Sequence, residues 1–412
     1  MNLWKISLQN IKSKPLYTFL SVFVLSLSIA LLLGIQQLKN AFLNQMNTNL
    51  SGIDLVIGAK GSPFQLVLAS VLHLDNPTGN ISYEEAKKIS KTSLVKSAIP
   101  ISYGDNYKNF RIIGTTQNFL TLYNAELKEG RITENTMEVI LGSTVAKKLN
   151  LTIDDTFLSS HGLIENDIEI HSDSLKVVGI LKSTQKVIDR LIITDLESIW
   201  DVHKHEDHNE DHEEHEEHHH DEHNEEYHNK KKEITSLLIT FKTPRAFLTL
   251  PRKINKNTNM QAVLPKYELD KLYEYTGTGF KTISWIAYLI LIISSIIIFV
   301  SLYKMIKDRA YDLALLRTYG ATNFQLIKMI IYESFLIVSL AFFIGFVLVK
   351  VGFFYVVQII ETNYKQVILQ ELPFDEISKI GALILSIVIL SSLLAVYPII
   401  KMNISTILSN EK

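Results

Sequence analysis

The chain has 412 residues, with 41 lysines and arginines against 43 aspartates and glutamates, and a formal net charge of −2. It contains no cysteine, which excludes disulfides, thiolate metal sites, iron–sulfur clusters and cysteine nucleophiles. The 47% apolar residues are gathered into a few long runs, against a soluble cytosolic enzyme, and no basic block with interleaved aromatics speaks for nucleic acid.

Residues 1–14, carrying Lys5, Lys12 and Lys14, precede 24 uncharged residues from Pro15 to Leu38. That run exceeds the roughly 7–15 apolar residues of a signal-peptide core and has no clear small-x-small cleavage site after it, so it reads as a retained anchor. Thr282–Tyr303 gives 22 more uncharged residues, and Ile380–Ile400 gives 21. Met329–Val349 gives another 21, interrupted only by Glu333, with apolar character continuing to about 358. Crossing the hydrocarbon takes roughly 20 mostly apolar residues, so four spans are expected: 15–38, 282–303, 329–349 and 380–400.

Basic residues in short loops set the orientation. Three lie in 1–14, five in 304–328 and two in 401–412, whereas 351–378 has only Lys365 beside Glu361, Glu371, Asp375 and Glu376. Both termini and the 304–328 loop are expected in the cytoplasm, and residues 39–281 outside. Glu333 lies about five residues from Lys328 and reads as a shallow, interfacial carboxylate. Ser294, Ser295, Ser391 and Ser392 read as helix-packing residues rather than an ion path.

Within 39–281, β-branched runs predict strands at Asp54–Ile57, Phe110–Ile113, Val139–Leu141, Lys176–Ile180, Leu191–Ile193 and Ile234–Phe241. A Ser82-x-x-Glu85 capping box predicts a helix over Tyr83–Thr92, and a second helix is expected over Ser143–Leu149. The result is a mixed α+β module, with two lobes expected from its length. Gly58-Ala-Lys-Gly61-Ser has the wrong spacing for a phosphate loop and reads as a tight turn, and no Walker motif occurs in the chain. His73, His161 and His171 are isolated and read as surface or turn residues, without a catalytic set.

Residues 203–228 hold ten of the thirteen histidines with twelve acidic residues and one lysine. So little apolar content predicts a disordered loop. Imidazole and carboxylate are ligands for zinc-class ions, so His203, His205, His208, His212, His215, His218, His219, His220, His223 and His228 are candidate metal ligands. A solvated acidic linker and a pH sensor are the competing readings of the tract.

In the 304–328 loop, Met305, Leu313 and Leu316 fall on one side of a short helix continuing from the second span. Gly320 is placed to end it, and Thr322-x-x-Gln325 to open the third span as a capping box. This helix–Gly–helix form suggests a rigid knob for a cytoplasmic partner. The residues Asp308-Arg309, Asp312-Leu313, Leu316-Arg317 and Gly320-Ala321 resemble the signature of FtsX/MacB-type ABC transporter permeases. So do the Asn10-x4-Pro15 approach to the first span and the Pro398-x-x-Lys401 exit from the fourth. The outer block is similar in Gly114 followed by Asn118-Phe119, Glu129-Gly130-Arg131, Val139-Ile140-Leu141-Gly142 and Val177-Val178-Gly179-Ile180-Leu181. Asp312 stands where that family favours Glu, and Thr318-Tyr319 where it has Ala-Leu.

The resemblance implies a non-enzymatic membrane subunit of a bacterial cytoplasmic (inner) membrane that pairs with a second permease copy and two copies of a separate cytoplasmic ABC ATPase. Asp308, Arg309, Asp312, Leu313, Leu316, Arg317, Gly320 and Ala321 would then form the ATPase-coupling site. No cofactor is required, zinc or another divalent metal at the histidine tract is a candidate, and a periplasmic metal-binding protein or lipoprotein is a possible further partner. Three tasks fit: metal acquisition, export of lipoproteins, peptides or hydrophobic compounds, and non-transporting signalling to a cell-wall hydrolase.

Overall fold

The computed structural model describes residues 15–160, 170–202, 232–308, 310–364 and 374–400, with Ser7 and Gln9. The chain forms two compact units: one mainly of residues 43–274, the other of the helical segments on either side.

The first helix, α1 (Pro15–Leu50), leads into β1 (Leu55–Ala59), α2 (Pro63–Ser70), β2 (Ile81–Ser82), α3 (Tyr83–Ser90), β3 (Val95–Tyr107) and β4 (Phe110–Thr115). Then come α4 (Asn118–Leu122), β5 (Leu127–Gly130), β6 (Glu138–Leu141), α5 (Ser143–Leu149), β7 (Thr156–Ser160) and β8 (Ile170–Leu181). A 3₁₀ turn (Val187–Arg190) precedes β9 (Leu191–Asp195), a helix α6 over 196–202, β10 (Glu233–Ile234), β11 (Ser236–Phe241), α7 (Ala246–Asn257) and β12 (Met260–Val263).

Ten strands make one sheet in the order β12-β1-β11-β3-β4-β9-β6-β8-β5, with β7 against β3 and β8. The pairs β4–β9 and β6–β8 are parallel, and the others along that order antiparallel. The two lobes expected from length are therefore joined. β3 runs 13 residues and pairs with β11 on one edge and β4 on the other, carrying one sheet through the unit.

Central strands are covered on both faces, which is why they read as continuous apolar runs rather than alternating ones. In β1, Leu55 and Ile57 join one core with Leu237, Ile239, Leu250 and Ile254, while Val56 joins the opposite core with Leu238 and Ile113. In β6, Ile140 enters that second core, and Val139 and Leu141 enter a third with Val145 and Val177. Met46 and Leu50 of α1 pack against the second core, and Leu269, beyond β12, is buried in it.

The Ser82 capping box does not form, since Ser82 makes no side-chain cap bond. Ser82 instead pairs with Glu233 in the β2–β10 ladder, and the Tyr83 N–H donates to the Lys232 carbonyl, just before β10, at 3.0 Å. After the Lys60–Gly61 bend, Ser62 caps α2 by accepting from the Gln65 N–H, and the Gly61 N–H donates to Gln261.

The helical unit contains α1 up to Phe42, most of α8 (Pro265–Asp308), α9 (Ala310–Thr318), most of α10 (Asn323–Tyr364) and α11 (Phe374–Ile400). Four of these helices are long and apolar enough to cross a membrane. At about 1.5 Å per residue, the 44-residue α8 is about 66 Å long, roughly twice the hydrocarbon thickness. Leu25, Ile29, Ala287, Leu291, Ile337, Ala341, Ile384 and Val388 share its core.

Serines tie the helices together. Ser28 and Ser294 hydroxyls are 2.7 Å apart, Ser295 and Ser391 2.6 Å, and Ser392 donates to Ser334 at 2.6 Å. Glu333 is 2% exposed, turned into the helical unit. Its phase explains this, because Ile330, Ser334, Ile337, Val338 and Ala341 lie on the same buried stripe.

Candidate coupling site

The 304–328 segment is a helix, a reversal and a second helix. α9 takes in Asp312 and Leu313, Asp308 is exposed at the end of α8, and Arg309 lies outside the described residues. At the end of α9 the Ala321 N–H donates to the Leu316 carbonyl at 3.0 Å and the Gly320 N–H to the Arg317 carbonyl at 3.1 Å. Those two bonds, with Gly320 at φ 92°, make a Schellman stop that satisfies carbonyls the helix would leave bare. A Cβ at Gly320 would meet nothing within 4 Å, so the backbone angle alone selects glycine. Two residues on, the Thr322 N–H donates to Gln325 Oε1 at 3.0 Å and the Gln325 N–H to Thr322 Oγ1 at 3.4 Å, which is the expected capping box.

Burial adds a second, outward apolar face to the one that Leu316 marks. Leu316 is half-buried against the core of the helical unit, and Ala314 is buried. The outward apolar residues are Tyr311 (40% exposed), Leu315 (38%) and Tyr319 (81%), with Phe324 (73%) after the turn. The sequence reading missed this stripe. Its signal was present in the four-residue spacing of 311, 315 and 319, which places them on one helix face. Arg317 and Ala321 are half-buried beside the reversal.

The ten histidines of 203–228 lie outside the described residues, as does His161. The ends of that tract are close: Trp200 Nε1 donates to the Glu233 carbonyl at 2.7 Å, and Lys232 lies 4.5 Å over the Trp200 ring. The Tyr83 ring packs 5.3 Å from Trp200. Among the described residues no group of three His, Cys, Asp or Glu side chains could hold a metal.

His73 follows the Val71–Leu72 turn and is not on the surface, at 5% exposure and φ 51°. Tyr103 spends its hydroxyl proton on the Ala69 carbonyl, so His73 Nδ1 donates to Tyr103 Oη, 2.9 Å away. His73 Nε2 is then buried and bare. Burial first, then Arg190 and Arg111, hold this imidazole well below its ordinary pKa. Arg190, itself pulled down to about 10 by burial, donates to the Leu72 carbonyl just past α2. This cluster closes the C-terminal end of α2.

Glycine and charge explain the Glu129-Gly130-Arg131 motif. Gly130 has φ 83°, and a Cβ there would strike the Val178 carbonyl across the β5–β8 pair. Arg131 then grips Glu138 with both guanidinium nitrogens, one at 2.7 Å and the other at 2.5 Å, holding that carboxyl far below its ordinary pKa.

A family model described as the MacB-like periplasmic core domain matches residues 18–223, and one described as the FtsX-like permease C-terminal matches residues 284–405. The periplasmic region of MacB from Actinobacillus actinomycetemcomitans is 11% identical, covering 54% of this chain and 95% of that one, with a TM-score of 0.34. The extracellular domain of the ABC-type transporter YknZ from Gram-positive bacteria is 11% identical over 51% of this chain and 98% of that one, with a TM-score of 0.31. No curated protein matches the chain. With a MacB-like outer domain between its first two apolar helices and an FtsX-like segment over the rest, the chain belongs to the MacB/FtsX-type ABC transporter permeases.

Proposed function

We propose that this permease is of the mechanotransmission kind: a separate cytoplasmic ATPase closes on the 304–328 knob, and the long helices carry that motion to the outer domain. Permeases of this family work with a cytoplasmic ABC ATPase and are not enzymes themselves. The observation that carries the reading is the exposed stripe Tyr311, Leu315, Tyr319 on a helix stopped by a Schellman reversal and followed by a capping box. A rigid apolar ridge of this form suits insertion into a partner's groove, where a buried aromatic contributes about 1.5–3 kcal/mol. Asp308, Arg309, Asp312 and Arg317 are the charged residues of the proposed coupling segment. Met46, Leu50 and Leu269 support the outer end of the reading, because they belong to long helices and pack with one outer-domain core.

The charge bias of the loops supports an orientation with both termini and the knob in the cytoplasm and the β-rich unit outside. The subunit works beside a second permease copy. Its task is metal acquisition, with the 203–228 tract loading zinc-class ions through imidazole and carboxylate.

Co-purification with the co-expressed ATPase tests the coupling. Tyr319→Ser with Leu315→Ser is expected to lower ATPase retention and stimulated hydrolysis about tenfold or more, in line with the loss of one or two buried anchors. Full stimulation in this double variant, or robust hydrolysis by the chain alone, overturns the reading.

A further inference from the structure

We propose that Asn49 and the 183–187 loop form the joint by which α1 grips the outer domain, making Asn49 a positioning residue for transmission. The inference rests on the mechanotransmission reading and adds the point where force would enter the sheet.

Asn49 is 2% exposed, one residue before the end of α1. Its Oδ1 accepts from the Val187 N–H at 3.0 Å and from Gln45 Nε2, one turn back, at 3.4 Å. Gln45 Nε2 also reaches the Gln185 carbonyl at 3.5 Å. The loop they hold is tightly built. Asp189, 5% exposed, accepts from Ser183 Oγ at 3.1 Å, from the Thr184 N–H and Oγ1 at 2.9 Å each, and from the Gln185 N–H at 2.8 Å. Lys186 Nζ donates to the Tyr123 carbonyl at 2.9 Å. Val187 and Ile188 are fully buried in the core that Met46 and Leu50 pack against.

Beyond the loop, β9 enters the sheet directly and pairs with β4 and β6. A displacement of the α1 end therefore meets an ordered loop, not a slack one, and reaches two central strands within five residues. The apolar contacts alone would let α1 slide or rotate, because hydrophobic packing is not directional. The bond from Val187 N–H to Asn49 fixes the register, since breaking it leaves a buried N–H without an acceptor.

The experiment uses the full permease with its ATPase partner in nanodiscs, with and without vanadate-trapped nucleotide, read by hydrogen exchange in β4 and β9. Wild type is expected to show a nucleotide-dependent change. Asn49→Ala should reduce it about tenfold, a typical size for a coupling term, while stimulated ATPase activity and the outer-domain melting temperature stay close to wild type. Asn49→Asp, which keeps the acceptor oxygen, should restore the response. If Asn49→Ala does not fold, Thr184→Gly loosens the same loop from its partly exposed side and should give the same loss. A full response in Asn49→Ala, or in Thr184→Gly where that variant decides, overturns the joint. A loss that tracks a drop in melting temperature and is not rescued by Asn49→Asp overturns it too, as ordinary destabilisation. No response in wild type sinks the mechanotransmission reading itself, and the joint with it.

Discussion

His73 shows how one buried side chain sets a pH limit. Its Nε2 has no partner, and two guanidinium groups oppose a proton arriving there. A base whose folded pKa is depressed adds stability that is fully present above its unfolded value, about 6.5, and is lost as pH falls toward the folded value. The outer unit should therefore lose melting temperature as pH drops from about 6.5 toward 5. His73→Gln should flatten that limb relative to wild type in a thermal scan of the purified permease. A limb of unchanged steepness would mean other groups set the acid sensitivity. Glu138 acts in the same direction at lower pH, because its depressed pKa delays protonation and the loss of its Arg131 pair.

Among the elements, α9 and its reversal depend on a single left-handed residue. Gly320→Val puts a β-branched side chain at φ 92°, where the penalty is conformational rather than steric crowding. Such strain costs about 1–3 kcal/mol, enough to unseat a surface reversal but not a bundle of four long helices. Stimulated ATPase activity should fall sharply in Gly320→Val and be largely kept in Gly320→Asn, which tolerates that backbone, with membrane insertion equal in both. Equal activity in the two variants would refute the role of the reversal. Leu316→Asp makes a different probe, because Leu316 packs against the helical core and its replacement should lower bundle stability as well as coupling.

At the scale of the whole molecule, the described residues on either side of the histidine tract are held together. The Trp200–Glu233 bond, the Lys232 ammonium over the Trp200 ring and the Tyr83 ring beside it make those contacts without the tract. Deleting 203–228 and closing the gap with a short Gly–Ser linker should leave the melting temperature within a few degrees, since loop closure costs little and the tract carries a single aromatic residue, Tyr227. Calorimetry of the two full-length proteins should show several zinc-class ions bound to wild type at micromolar affinity or weaker, and fewer to the deletion. Binding should fade below about pH 6 as protons compete for imidazole. Equal binding by both proteins, or by neither, removes the metal task and favours export of lipoproteins, peptides or hydrophobic compounds, or signalling to a cell-wall hydrolase.

The four apolar helices, the α+β class of the segment between the first two, and the Gly320 and Thr322 signals were legible in the sequence because each depends on local periodicity or on one backbone angle. The helix over Ser143–Leu149 and the strand cores at Phe110–Ile113 and Leu191–Ile193 were legible for the same reason. Other features depend on partners distant along the chain. Ser82 is drawn into a ladder with Glu233, 151 positions away, and His73 is buried against Tyr103 and Phe119. Leu316 and Tyr319 are both apolar and three residues apart. Only the packing of α9 against its neighbours decided that the first faces the chain's own core and the second faces outward. Periodicity fixes which residues share a face, and tertiary contacts fix what that face meets.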